Sequence, residues 1–582
     1  MPASTVHLVI IHHGLWGTPA NTEYLTTTLA KHHGGTVSPA CTLTPPESAS
    51  TIAVHAETHP NAAREDVRMV VLNSEVNSGD HTYDGIDWCG ERLVKDVYRE
   101  VGRIEREEGA VVARCSLIGY SLGGLVIRYA AGVMYADGFF AEEERKGGKE
   151  LGFRSRPVAA SLSTIATPHL GVTLTGSTFS KVAARVGSSN LGRTGKQLYL
   201  ADRGWIPPST STFTREGGAV TNDKSNGQDA GLCLVEALSD PRFTFIAALR
   251  LFQRIDIYAN AVADLTVSYR TAAFETHDPF LAPDRLSLER DPDHPPLLVS
   301  YSAITTPART KSFWRKVASQ LSPNNLPWML NPQRFPFRFP LNYVALVCLP
   351  VLLPVMVGLV LHKLRSDSKV SNRRVEEFER VWAEENGLLL PAVAAVDAGG
   401  NGAGGEDADS LASSKRLKQG LRKNDAKSKV TTVDKATRSE WERKRISNLL
   451  AAVEAEAEEA LREVGEDYVA TSAPFSPSSL STNDDNDDDT GRYTLKPNTP
   501  TRCLCDPSSL PIARDEYPLL DIQHRIVANL NNRALLPQVQ KHLAHFDDVL
   551  NAHAVIIVRT VTMEMHKKGI PLIKAFVQRF GL

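Results

Sequence analysis

Apolar positions along this chain form three patterns: short unbroken runs, one long amphipathic period, and one extended stretch without charge. Val6-His7-Leu8-Val9-Ile10-Ile11 is a β-branched run that predicts a buried parallel strand. It ends in the glycine-bearing segment His12-His13-Gly14-Leu15-Trp16-Gly17, after which Thr18-Pro19 opens a helix that runs to Lys31 and stops at Gly34-Gly35. Leu93, Val94, Val97, Tyr98, Val101 and Ile104 recur at helical spacing. Asp84 and Asp87 stand where an N-cap and a first-turn carboxylate belong. Ser116-Leu117-Ile118 leads through Gly119-Tyr120-Ser121-Leu122-Gly123-Gly124 into an apolar helix. Residues Ala160–Ala166 and Phe252–Asn260 read as further strands. Strands alternating with helices predict an α/β fold, its central sheet mostly parallel with helices on both faces.

The turn Gly119-Tyr120-Ser121-Leu122-Gly123 carries the first chemistry. Small residues at Gly119 and Gly123 let strand and helix pack closely while the serine hydroxyl projects from a strained tip, within reach of a base. A glycine turn after the first strand presents backbone N–H groups above the sheet. We assign the oxyanion donors to the N–H groups of Leu15 and Leu122. His13 and Gly14 shape that loop, and His12 is an ordinary strand-end histidine.

The words His13-Gly14-Leu15-Trp16-Gly17, Gly119-Tyr120-Ser121-Leu122-Gly123-Gly124-Leu125 and Ala166-Thr167-Pro168-His169-Leu170-Gly171 together resemble the serine esterase family of lipase-like α/β hydrolases, and most of all its fungal lipid-droplet phospholipase branch. The resemblance covers residues 5 to 320 and 515 to 582. It implies an α/β-hydrolase fold and phospholipase activity. In this fold the triad runs in the order serine, acid, histidine. Asp264 lies in the loop past the strand Phe252–Asn260 and matches the family's Asp-Leu-Thr-Val word, with Ser268 where the family often has proline. Asp278 is the runner-up, and Asp256, within the strand, suits a structural bond. His553 stands before the run Val555–Arg559, as the family's histidine does, although Ala554 follows it where asparagine is common. Its rivals are His524, His542 and His545, each read as a partly exposed surface histidine. His169 is expected to rim the pocket.

These residues specify acyl transfer through Ser121, His553 and Asp264, a chemistry that needs no metal or organic cofactor. Net charge of −2 gives no reason to expect nucleic-acid binding. Seven unevenly spread cysteines argue against a disulfide framework and for a reducing compartment. A cleaved signal peptide is not expected, because the first strand begins about five residues in with no cationic segment before it.

Tyr343–Leu361 contains no charge, and as a helix its length is close to the hydrocarbon thickness of a bilayer. Pro350 and Pro354 interrupt it, and arginines and lysines flank it on both sides. That symmetry suits a segment that dips into a membrane or droplet monolayer and returns. The expected organisation is a hydrolase core over 1–320, a lid or cap insertion over 174–235 with a helix near Ser180–Arg185, and a hydrophobic anchor over 334–374. A linker of charged helices and disordered sequence follows over 375–510, and 511–582 completes the core with the histidine and last helix. The expected function is cleavage of glycerophospholipid acyl esters at a lipid-droplet or endoplasmic-reticulum surface, with the catalytic domain facing the cytosol. The competing readings are an acylglycerol lipase, an acyltransferase or general carboxylesterase, and an inactive lipid-surface scaffold. Head-group preference and oligomeric state are not written in these residues.

Overall fold

The computed structural model describes residues 4–38, 67–141, 151–173, 186–205, 231–281, 285–304, 341–385, 500–506, 510, 517–547, 549 and 551–580, with backbone alone at 341–357, 360 and 382–385. Ten strands form one sheet: β1 (Thr5–His12), β2 (Thr36–Val37), β3 (Val67–Asn73), β4 (Val111–Tyr120), β5 (Val158–Ile165), β6 (Arg254–Asn260), β7 (Leu286–Arg290), β8 (Leu297–Ala303), β9 (Arg502–Cys503) and β10 (Val539–Ala544). Their order is β2-β3-β1-β4-β5-β6-β10-β8-β7, with β9 beside β8. The strands from β2 to β10 run parallel, and only the β7–β8 hairpin and its contact with β10 are antiparallel.

Helices cover both faces, as the apolar runs require. α1 (Glu23–His32) and α9 (Ile570–Phe580) pack on the face formed by Val9, Ile11, Val71 and Ile118. α2 (Ile86–Glu107), α3 (Leu122–Ala136) and α5 (Thr244–Leu251) pack on the other, against Leu8, Ile10, Leu72 and Leu117. Alternate β1 residues thus serve opposite cores, which is why that run carries no polar alternation. The remaining helices that matter here are α4 (Gly192–Leu198), α6 (Leu341–Glu385), α7 (Asp521–Leu530) and α8 (Ala552–Val555). β10 and α8 come from the far end of the chain, yet β10 pairs with β6 over six residues, so the C-terminal segment completes the sheet beside the strand that carries the acid loop.

Three expectations change. Tyr343–Leu361 does not turn back at Pro350 and Pro354; its backbone is part of one helix continuing to Glu385. Each proline removes one backbone hydrogen bond but leaves the remaining ladder to carry the helix through. Among the described residues searched, no helix is long and apolar enough to cross a membrane. Within the 174–235 stretch, α4 is a helix that periodicity missed, because it is short and bonded rather than amphipathic. The helix expected near Ser180–Arg185 lies outside the described residues, as does most of the 375–510 linker.

The third concerns Asp84, which is not the helix cap, whereas Asp87 stands in the first turn of α2 as expected. Gly85 occupies the N-cap of α2. Asp84 is fully buried and accepts bonds from Arg92 (2.6 Å), Ser371 (2.6 Å) and Arg374 (2.9 Å). Asp87, equally buried, accepts from Arg193 (2.6 Å), Gln197 (3.0 Å) and Trp205 (2.9 Å). Both carboxylates also tie α2 to distant segments.

Candidate active site

The end of β4 turns into α3 at Ser121, whose backbone has φ 54° and ψ −125°. A non-glycine residue held there costs about 1–3 kcal/mol, which the packing around it must sustain. That packing needs glycine. A Cβ on Gly119 would lie 2.5 Å from the Gly123 carbonyl, and one on Gly123 would lie 2.3 Å from the carbonyl of His12. One on Gly124 would overlap the Thr167 hydroxyl at 2.0 Å. The elbow is therefore pressed against the end of β1 and the loop after β5. Because the obstruction at Gly123 is backbone, Gly123→Ala should lower stability by about 1–3 kcal/mol, seen as a lower urea midpoint, and a midpoint equal to wild type would refute this packing account.

The hydroxyl of Ser121 lies 3.0 Å from Nε2 of His553. Nδ1 of the same ring lies 3.0 Å from Oδ2 of Asp264. The structure thus brings together three side chains that the sequence separates by 143 and 289 positions (264 − 121 and 553 − 264). Each is positioned from its own strand end. Asp264 follows β6 in a turn whose N–H groups serve it: Oδ1 accepts from the Val267 N–H (2.8 Å) and from the N–H and hydroxyl of Thr266 (both 3.0 Å). Oδ2 also accepts from the amide of Asn260, the last residue of β6, at 2.8 Å. Burial opposes charge on this carboxyl, but attraction to His553 and the bonds from His553, Val267 and Asn260 outweigh it and hold its pKa below the usual range. The acid is ionised, and among the described residues its Oδ2 faces the imidazole of His553 and the amide of Asn260.

His553 sits in α8, after β10. The N-cap residue Asn551 accepts from the His553 N–H at 3.3 Å, and the Ala552 N–H donates to the Ala263 carbonyl at 2.7 Å, which joins the histidine loop to the acid loop. Tyr120, the residue before the serine, donates its hydroxyl to the His553 carbonyl at 2.9 Å and lies against the ring with centroids 5.0 Å apart. Asn260, Tyr120 and Asn551 were not among the expected site residues. Only Asn551 carries a sequence signal, a helix-starting residue two positions before the histidine.

Gly14 closes the other side, where a Cβ would come 2.8 Å from that of Ser121. The N–H groups of Leu15 and Leu122 have no hydrogen-bond partner among the described residues, the latter because it is the first residue of α3. Trp16 holds the loop with φ 57°, and the Gly17 N–H returns to the Gly14 carbonyl at 3.0 Å. Nδ1 of His13 donates to the Gly14 carbonyl at 3.0 Å, and Nδ1 of His12 to the His13 carbonyl at 2.8 Å, while Asn77 donates to Nε2 of His12 at 2.8 Å. Both histidines shape the loop.

Of the rival histidines, His524 is exposed on α7, and the other two are engaged elsewhere. His542 is 1% exposed, 3.2 Å from Asp256, and stacked on Tyr258, so it is a core residue and not the surface residue expected. His545 meets Arg290 at 3.0 Å. Asp278 accepts from the Phe280 N–H at 2.9 Å and stabilises a turn. His169 also departs from expectation. It is buried rather than set at a rim: Arg128 donates to its Nδ1 at 3.1 Å, and Nε2 meets the Thr164 hydroxyl at 3.0 Å.

Burial pushes His7 down to about 3 and His13 down to about 4, and drives His12, His169 and His542 below the ordinary 6.5 as well. Unfolded, these rings take up protons below pH 6.5, whereas folded they do not until the pH is far lower. The unfolded state therefore binds more protons, and their contribution to stability is complete above 6.5 and shrinks as the pH falls toward 4. We expect the urea midpoint to drop steeply over that interval, and a flat midpoint would contradict the burial of these rings.

Residues 2–276 match the family model described as "Putative serine esterase (DUF676)". That match runs from β1 through the acid loop. No curated protein matches the chain. Among solved structures it is similar to an extracellular α/β-hydrolase from a Paenibacillus species, at 13% identity and a TM-score of 0.16, over 31% of this chain and 51% of that one. It is also similar to phospholipase PlaB from Legionella pneumophila, at 13% identity and a TM-score of 0.22, over 66% of this chain and 65% of that one. A third is the lin2722 gene product of Listeria innocua, at 11% identity and a TM-score of 0.21, over 46% and 77%. The chain thus spans about half the length of the Paenibacillus hydrolase. At these scores it is the strand order, and not the likeness, that identifies the fold.

Proposed function

We propose that this chain is a serine hydrolase that cleaves acyl esters of glycerophospholipids by an acyl-enzyme mechanism. The observation that supports this most is the unbroken path from Asp264 through His553 to the Ser121 hydroxyl, with 3.0 Å at each step. Asp264 holds the ring with its proton on Nδ1, which leaves Nε2 free to accept the Ser121 proton. As that proton moves, the Ser121 oxygen bonds to the ester carbonyl carbon, and the carbonyl oxygen takes the electron pair. The N–H groups of Leu15 and Leu122 receive the resulting oxyanion. His553 then returns the proton to the departing alcohol, and water repeats the sequence to free the fatty acid. Every step uses groups of this chain plus water.

The lipid substrate class rests on the motif resemblance and on the uncharged run 343–361 with its basic flanks, which would favour a lipid surface such as a droplet or the endoplasmic reticulum. Release of fatty acid from phosphatidylcholine vesicles, compared with release from triacylglycerol emulsions and a soluble nitrophenyl ester, tests the reading. Turnover of the vesicles that the Ser121→Ala protein does not reproduce supports it. Turnover of the soluble ester alone would leave a general esterase, and turnover of none would leave a scaffold.

A further inference from the structure

The oxyanion loop is not held by its own sequence alone. Three bonds fasten it to the 3-10 turn Gly79–Tyr83, which precedes α2. The Trp16 N–H donates to the Thr82 hydroxyl at 3.1 Å, the Trp16 indole to the Tyr83 hydroxyl at 2.7 Å, and the Gly79 N–H to the Gly17 carbonyl at 2.9 Å. These bonds hold Trp16 and Gly17, the two residues that follow Leu15, and secure the left-handed backbone of Trp16.

That turn is itself clamped from outside, by α6. Arg374 grips both of its ends: one guanidinium nitrogen reaches the Asp80 carboxylate at 2.9 Å, and the other reaches the Asp80 carbonyl at 3.0 Å and the Asp84 carboxylate at 2.9 Å. Ser371 donates to Asp84 at 2.6 Å. The same stripe of α6 continues with buried Val375, with Phe378 against Trp88 at 5.5 Å, and with Glu379 paired to Arg193 at 3.0 Å. Residues 371, 374, 375, 378 and 379 follow helical spacing, so one face of α6 carries the whole contact. Gly192 shows how close the fit is: a Cβ there would lie 2.7 Å from the Tyr83 carbonyl and 3.3 Å from the Ser371 hydroxyl.

We infer that α6 is a brace for the oxyanion loop, and that Arg374 and Ser371 are positioning residues for the acyl-transfer step, acting through Asp80, Asp84 and the Gly79–Tyr83 turn on the Leu15 N–H. The inference rests on the serine-hydrolase reading. It adds that a helix beyond residue 340, outside the family match, is part of the machinery that sets transition-state stabilisation. Oxyanion donors act on charge that develops only in the transition state, so a loosened loop lowers kcat and leaves KM nearly alone.

The test uses the full chain as wild type, Arg374→Ala, Arg374→Lys and, as a control on the exposed side of the same helix, Arg373→Ala. For Arg374→Ala, kcat on a soluble nitrophenyl ester should fall about 10–100-fold with KM changed less than about twofold. Amide hydrogen exchange over Gly14–Gly17 should quicken, labelling of Ser121 by a fluorophosphonate should slow in step with kcat, and Arg374→Lys should recover part of each. Arg373→Ala should match wild type. If Arg374→Ala keeps wild-type kcat and wild-type exchange over Gly14–Gly17, the brace is refuted while the hydrolase stands. If no protein turns over any ester, the hydrolase reading has failed, and the exchange measurement still decides whether α6 holds the loop. Should Arg374→Ala not fold, Ser371→Ala removes a single hydroxyl and is read by the same measurements.

Discussion

Ser121→Ala should reduce kcat by about 10⁶-fold, to the level of an enzyme without its triad, while leaving KM and thermal stability close to wild type. The size follows from the geometry. The Ser121 oxygen is placed to form the acyl bond, with His553 3.0 Å away to take its proton. Removing it leaves the oxyanion donors and the binding surface, which support only residual hydrolysis by water. Stability should be spared because the strained backbone at this position, φ 54°, is enforced by its neighbours and not by the hydroxyl. The readouts are ester turnover and covalent labelling by a fluorophosphonate, which wild type should acquire and the variant should not. Labelling of the Ser121→Ala protein at another serine with turnover retained would overturn the assignment of the nucleophile.

Asp264→Asn should lower kcat by about 10⁴-fold with little change in fold. Two oxygens of this carboxylate serve different donors. Oδ1 faces the Thr266 N–H and hydroxyl and the Val267 N–H, so an amide introduced here places its carbonyl oxygen there. Its NH₂ then lands where Oδ2 was, facing Nδ1 of His553 and the amide of Asn260. The imidazole is driven to accept at Nδ1 and carry its proton on Nε2, where the Ser121 hydroxyl needs an acceptor. The prediction is a loss in kcat with KM preserved, because the misplaced proton affects the reaction and not binding. A loss smaller than tenfold would show that another group orients His553.

Parts of this arrangement were legible before the fold was known because the chemistry lies in short words. The elbow around Ser121 is written in consecutive residues: an apolar strand, a serine between glycines, an apolar helix. The glycines mark where a Cβ would meet backbone, as the 2.3 Å contact at Gly123 makes plain. Asp264 and His553 could be nominated from their places after β6 and before an apolar run. The setting of His542 was not legible. His542 lies on a strand, and only pairing between β10 and β6 shows that it faces Asp256 and Tyr258 within the core. Asp84 misled for the same reason: a carboxylate at the start of a helix suits local capping, and the arginines that claim it lie 8 and 290 positions away.

Local sequence by itself determined the strands β1, β4, β5 and β6, the helices α1, α2 and α3, and the reactive turn, because periodicity, glycine placement and the serine's surroundings act over a few neighbouring residues. Tertiary structure alone decided which histidine meets Ser121, which buried carboxylates are structural, and that the helix after the uncharged run rests on the turn behind the oxyanion loop. Those outcomes depend on contacts between segments far apart in the chain. A hydrogen bond or ion pair of that kind leaves no period and no composition bias in the residues that make it.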